Sequence, residues 1–236
     1  MQFAIGAAND LADARLDAVA KPRKPIPAGL VPPRTALAIC VASAALGLLA
    51  AATAGPAALL IGVAGLADGL SYDLWFKKTP FAWMPFAAGV GLLPLYAWWG
   101  ARGSLPISIL GVAGVAVLAG AALALANAYA DIDGDRRSGV GSVAVMLGAR
   151  LTLGCNGLLL ASVQAIAVAT TLAVDPAPGA LAGEVVGAGL GWLALGIAAL
   201  RWDRIRPLVW ELQAVAFLVL GASWLAALSA AGALRG

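Results

Sequence analysis

Apolar residues run along this chain in long blocks separated by short polar interruptions, without the strict alternation of a half-buried strand. The blocks lie at roughly 35–54, 56–72, 81–99, 107–130, 151–173, 181–200 and 208–232. Each is about 17 residues or longer, enough for a helix to cross a hydrocarbon core about 30 Å thick. Lipid offers the backbone no hydrogen-bond partners, so blocks of this kind predict helices. The pattern therefore predicts an all-α, multi-pass transmembrane bundle with seven full spans, forming one domain over residues 1–236. Ahead of the first span, residues 1–8 are apolar and lead into Asn9 and Asp10. Eight residues make only about 12 Å of helix, so this segment reads as the end of a helix whose earlier part is missing. It has neither the basic start nor the small-residue cleavage site of a secretory signal.

Composition strengthens the membrane reading. Apolar residues make up 62% of the chain and charged residues 11%, whereas a soluble domain is about 25% charged. Cys40 and Cys155 sit inside apolar blocks, where a thiol acts as a small hydrophobe. They imply neither a disulfide nor a metal site. The absence of histidine removes the usual zinc sites and the commonest general base. Chemistry must then rest on carboxylates, amines and hydroxyls.

The net charge of +3 does not mark a nucleic-acid surface, because the basic residues occupy short loops. Arg15, Lys21, Arg23, Lys24 and Arg34 lie in the first loop, Lys77 and Lys78 in the third. Arg136, Arg137 and Arg150 lie in the fifth, and Arg201, Arg204 and Arg206 in the seventh. Thirteen of the fifteen Lys and Arg residues thus fall in alternate loops, which the positive-inside rule places in the cytoplasm. This predicts a multi-pass protein of the cell membrane with its C-terminus outside. Trp98, Trp99, Trp202 and Trp210 stand near span ends, as headgroup-level anchors do. The many Gly and Ala residues within spans suit close helix packing.

Two acidic clusters change the picture. Asn9, Asp13 and Asp17 recur every fourth residue, as do Asn127, Asp131 and Asp135. Four-residue spacing puts each set on one helix face. Each copy of NxxxDxxxD ends an apolar segment and is followed by basic residues and then a glycine, Gly29 or Gly148. The duplication resembles the internal repeats of many membrane folds. A row of carboxylates near bilayer depth is costly and needs a cationic partner. One such row could simply end a helix and pair with nearby Arg and Lys. Two matched rows on one membrane side, offering only oxygen ligands, point to a hard divalent cation, and Mg²⁺ commonly bridges carboxylates to substrate phosphates. Tyr72, Asp73 and the pair Lys77-Lys78 lie in a loop on the same side, where an amine could neutralise diphosphate oxygens or merely report topology. Lys21, Arg23 and Lys24 carry the same ambiguity in a run stiffened by Pro22, Pro25 and Pro27.

With these motifs in place, the chain resembles the UbiA superfamily of intramembrane prenyltransferases over nearly its whole length. Asn9 to Asp17 matches the family's NDxxDxxxD motif, and Asn127 to Asp135 its second aspartate motif. The segment KPRKPIPAG is similar to the family's RPxRPIPSG loop, most like the branch handling chlorophyll and archaeal glycerolipids. Lys21 and Lys24 replace its arginines there, which makes diphosphate contact monodentate rather than forked. Tyr72 to Lys77 matches YxxxLK, with Phe76 in place of Leu. The family has nine helices, so the resemblance implies that the first and most of the second are missing here. An asparagine that often follows the Tyr-Lys loop is not evident in TPFAWMPFAAG, which leaves the acceptor branch open.

The resemblance implies Mg²⁺-dependent transfer of a prenyl group from a prenyl diphosphate to a lipophilic or aromatic acceptor within the bilayer. The metal ligands would be Asn9, Asp13, Asp17, Asn127, Asp131 and Asp135, the four aspartates also serving catalysis. Lys77, Lys21, Lys24 and Arg23 would hold diphosphate, and Tyr72 would steady an allylic cation through its ring face. Asp10, Asp73 or Asp133 would position or deprotonate the acceptor. Two rivals remain open on sequence: a terpene cyclase using the same site without an acceptor, and a divalent-cation or proton transporter. Ion relays place carboxylates near the midplane, and no charged residue is expected midway through the opposite half of the spans.

Overall fold

The computed structural model of the protein describes residues 1–175, 179–200, 206 and 208–234. The described residues form eight α-helices and no strand. They are α1 (Gln2–Ala20), α2 (Pro33–Thr53), α3 (Pro56–Ser71), α4 (Trp83–Arg102), α5 (Ile107–Ser138), α6 (Val143–Ala173), α7 (Ala180–Ala199) and α8 (Leu208–Ala230). A π-helical turn at Tyr72–Phe76 continues α3. Arg201, Trp202 and Arg204, read above as loop charge and headgroup anchoring, lie outside the described residues.

Each of the seven expected blocks is a helix. Pro33 and Pro56 open α2 and α3 at the first turn, where a missing N–H costs nothing. Among the described residues, six helices are long and apolar enough to cross a membrane, counting α3 with its π-turn. The helix α4 is not among those six, because Trp83, Pro85, Pro94, Tyr96, Trp98 and Trp99 dilute its apolar content. The helix α5 runs eight residues beyond the predicted block, to Ser138, because its aspartate motif is helical. It stops at Gly139, whose φ of +69° supplies a left-handed cap.

The chain divides into two compact units. The first comprises residues 1–77 and 95–104, and holds α1, α2, α3 and the end of α4. Here α1 seats on glycines of its neighbours: a Cβ on Gly47 would lie 2.6 Å from Met1 Cγ, and one on Gly69 would lie 2.4 Å from Ile5 Cδ1. Trp99 donates to the Ala54 carbonyl at 2.9 Å and so ties the end of α4 to the α2–α3 turn.

The second unit comprises residues 78–94 and 105–236. Its tightest crossing is α7 on α8. A Cβ on Gly187 would meet Leu220 N at 2.7 Å and Ala216 O at 2.8 Å, the close backbone approach that small residues allow in lipid. Polar contacts join helices of this unit, where hydrocarbon surroundings favour internal pairing. Asn156 and Gln213 exchange amide hydrogen bonds of 3.0 and 2.8 Å, and Asn156 also donates to the Ala122 carbonyl at 2.7 Å, which joins α5, α6 and α8. Tyr129 donates to the Ala198 carbonyl at 2.8 Å, anchoring α5 to the end of α7.

Candidate active site

In the first unit, α1 carries the acidic stripe. Asn9, Asp13 and Asp17 lie along one face of a continuous helix rather than beyond its end. Asp17 is buried, with 5% of its surface exposed. Two lysines from distant segments reach this face. Lys24 Nζ lies 2.8 Å from Asp10 Oδ1 and 2.7 Å from Asp17 Oδ2. The loop that carries Lys24 is set by its prolines and by local turns, with Ala28 N donating to the Lys24 carbonyl at 2.9 Å and Gly29 at φ +73°. The hydrogen bond to Asp10, then that to Asp17, holds the Lys24 ammonium above the usual lysine range. Lys21 and Arg23 stand exposed on the same loop.

The second lysine comes from the π-turn after α3. Lys77 N donates to the Tyr72 carbonyl at 2.8 Å, closing the turn. The extra residue of a π-turn shifts the side-chain register relative to an α-helix, and such turns cluster at functional sites. From this position Lys77 Nζ donates to both Asn9 Oδ1 and Asp13 Oδ2. Asp73, on the same turn, lies within electrostatic range of Asp10, Asp13 and Lys77, and its Oδ2 is buried without a hydrogen bond. Tyr72 is half-buried on the turn.

Charge counting decides what this cluster can hold. Asp10, Asp13, Asp17 and Asp73 supply four negative charges, and Lys24 and Lys77 two positive ones, leaving a deficit of two. One divalent cation would balance it. The donors are all hard oxygens, and one buried carboxylate oxygen still lacks a partner, so the residues fit Mg²⁺ or a similar ion. Among the described residues no three carboxylates or other acidic, thiol or imidazole ligands converge into a complete cage.

In the second unit, α5 carries Asn127, Asp131 and Asp135 at the same spacing. Asp131 is exposed, and Asn127 and Asp135 are half-buried. The glycines that follow the two stripes share a backbone feature, Gly29 at φ +73° and Gly148 at φ +76°. Asp133 lies two residues, about 200°, around the helix from Asp131. Arg206 Nη1 contacts its Oδ2 at 2.6 Å, and Arg136 Nη1 lies 3.9 Å from its Oδ1. The Arg206 guanidinium also sits 5.5 Å over the Tyr129 ring.

Two residues went unrecognised in the sequence. Arg206 counted only as loop charge, yet it binds Asp133 and covers Tyr129. Glu184, in the second turn of α7, is a fully buried carboxylate that accepts a 2.5 Å hydrogen bond from Thr171. A lone acid inside an apolar block is itself a signal, and it corrects the expectation that the opposite half of the spans carries no charged residue.

Comparison with known proteins places this geometry. A digeranylgeranylglyceryl phosphate synthase of Korarchaeum cryptofilum is 31% identical over 147 residues, which cover 62% of this chain and 52% of that protein. The chain thus spans about half the length of the relatives it matches. A solved structure from work on digeranylgeranylglyceryl phosphate synthase in membranes superposes with a TM-score of 0.75 at 17% identity, covering 95% of this chain and 80% of the other. A UbiA homologue from Archaeoglobus fulgidus, solved bound to Cd²⁺, gives a TM-score of 0.65 at 20% identity, covering 97% and 88%. The UbiA prenyltransferase family matches residues 1–221. With six helices able to span a bilayer and a family match over almost its full length, this chain is a multi-pass integral membrane protein that belongs to the UbiA prenyltransferase family.

Proposed function

We propose that the protein transfers a prenyl group from a prenyl diphosphate to a lipophilic acceptor bearing a glyceryl phosphate, with the aspartate stripes on the cytoplasmic side of the cell membrane. The observation that carries this reading is the α1 cluster, where Lys24 and Lys77 converge on Asn9, Asp10, Asp13 and Asp17 and, with Asp73 nearby, still leave a double negative charge. Such a cluster suits a diphosphate delivered with a divalent ion. The names of the relatives support the acceptor class.

Asn9, Asp13 and Asp17 would hold Mg²⁺ on α1, and Asn127, Asp131 and Asp135 offer the same donor set on α5. Bound there, the ion supplies charge neutralisation for the departing diphosphate. Lys77 and Lys24 donate to diphosphate oxygens from positions that the π-turn and the proline loop already fix, so little reorganisation is needed. Lys21 and Arg23 extend the same positive edge. The allylic C–O bond breaks with its electron pair leaving on diphosphate. The face of Tyr72 steadies the allylic cation. The acceptor hydroxyl then attacks the cation and loses its proton, for which Asp73, whose Oδ2 has no hydrogen bond, and Asp10, paired with Lys24, are the carboxylate candidates. Asp133, held by Arg206, acts less directly.

Mass spectrometry of products tests this. Membranes containing the protein receive geranylgeranyl diphosphate, with or without a prenylated glyceryl phosphate or a phenolic acceptor. The proposal predicts a prenylated glyceryl phosphate product that requires Mg²⁺. A hydrocarbon or terpene alcohol formed without acceptor, or a product from the phenol alone, would contradict it.

A further inference from the structure

A second charged site lies on α5, away from its metal-type stripe. A cavity of about 570 Å³ opens at the basic end of the second unit, lined by Tyr129, Asp133, Arg136, Arg150 and Arg206 and by the chain at Gly148. It is a built feature rather than a chance meeting of loop arginines. Tyr129 is buried and anchored to the Ala198 carbonyl, Arg206 lies over its ring with only 14% of its side chain exposed, and Asp133 fixes the Arg206 guanidinium at 2.6 Å. The third and fourth charges come from different helices, Arg136 from α5 and Arg150 from α6. Gly148 breaks α6 at φ +76°, so the helix restarts beside the cavity with Ala149, Arg150 and Leu151 in its wall. The positive end of that restarted helix adds to the field.

Charge selects the ligand class. Three guanidiniums against one carboxylate leave a net charge of +2 in the cavity. A phosphate monoester carries about −1.5 to −2 near neutral pH, and planar guanidiniums match its oxygens in forked pairs. A cationic ligand would be opposed by the net positive charge of these walls. Basic pockets between membrane helices at the cytoplasmic boundary suit phosphorylated headgroups. We propose that this cavity binds a phosphate monoester, carried either on a membrane lipid or on a small soluble molecule. The site is distinct from the α1 cluster and does not depend on the prenyl-transfer reading.

The test is native mass spectrometry of the full chain in neutral detergent, with no prenyl diphosphate present. Phosphatidic acid is compared with diacylglycerol of the same acyl chains, which lacks the phosphate. Phosphatidic acid should be retained preferentially, and Arg136→Ala and Arg150→Ala should each weaken retention about fivefold, given the typical worth of a basic residue at an anionic lipid. Arg150→Lys keeps the charge and should recover much of the binding, which separates loss of the site from loss of folding. Arg137 is exposed and does not line the cavity, so Arg137→Ala should leave retention unchanged. Glycerol phosphate added at about millimolar concentration distinguishes the source: displacement of the lipid assigns the site to a soluble phosphate, and persistence assigns it to a headgroup. Equal retention of phosphatidic acid and diacylglycerol would overturn the proposal. So would an Arg137→Ala loss as large as that of Arg150→Ala, which would reduce the effect to general surface charge.

Discussion

Lys77 and Lys24 reach the same stripe from opposite ends of the chain order, one after α3 and one before α2, and each bridges two acidic or amide side chains. Their roles differ in a way that kinetics can separate. Lys77→Met removes a donor shared by Asn9 and Asp13, and its loss should lower kcat by about 10²-fold if it stabilises charge developing on diphosphate. An unchanged kcat with a raised KM would instead make it a ground-state contact. Lys24 holds the proline loop down. Because its folded pKa lies above the ordinary lysine value of 10.5, the ion pair contributes in full below that value and is lost as pH rises through the folded value. Thermal unfolding in detergent should therefore show no Lys24-dependent change across the neutral range, and a base-labile step that disappears in Lys24→Met. The pairing of particular lysines with particular carboxylates was not legible in the sequence. Lys21, Arg23 and Lys24 look alike in the run KPRKPIPAG, and only the turn geometry selects Lys24 for the carboxylates while the others stand exposed.

Whole helices were more readable than their contacts. Seven apolar blocks became seven helices because lipid leaves the backbone no alternative. The two errors of extent have local causes. Asp131 to Ser138 lies beyond the apolar block, yet the helix continues through the aspartates to the Gly139 cap, with Arg136 and Arg137 in its last turn, where cations suit the helix dipole. Gly148 reads as a repeat marker, and only its φ of +76° shows that α6 breaks there and begins five residues earlier. Gly148→Ala would add no clash with neighbouring side chains, so its cost should be that of a backbone at φ +76°, ψ 160° that glycine alone adopts readily, about 1–3 kcal/mol, read as a lower Tm. Gly187 is the opposite case. Its φ is not special, but a Cβ there would press on the α8 backbone at Leu220 and Ala216. Gly187→Leu should destabilise the second unit by about 1–3 kcal/mol or more, and Gly189→Leu, where the space is open, should change Tm little.

At the scale of the molecule, the duplicated motif joins sequence to chemistry. Each compact unit carries one stripe of Asn, Asp and Asp at four-residue spacing on a helix, followed by a left-handed glycine. The family and the membrane class follow from that duplication and the apolar blocks. The lysine partners, the Asp133–Arg206 pair and the buried Glu184 depend on tertiary packing, which periodicity does not encode. The central proposal is that each stripe is required for turnover of a prenyl diphosphate. It is tested most directly by Mg²⁺-dependent diphosphate release from geranylgeranyl diphosphate in the presence of acceptor, comparing the parent with Asp13→Asn and Asp131→Asn. Both substitutions keep the side-chain volume and remove one charge, one in each unit. The account predicts that each alone lowers the rate by about 10²-fold or more with Tm nearly unchanged. Parental release from either variant would contradict it.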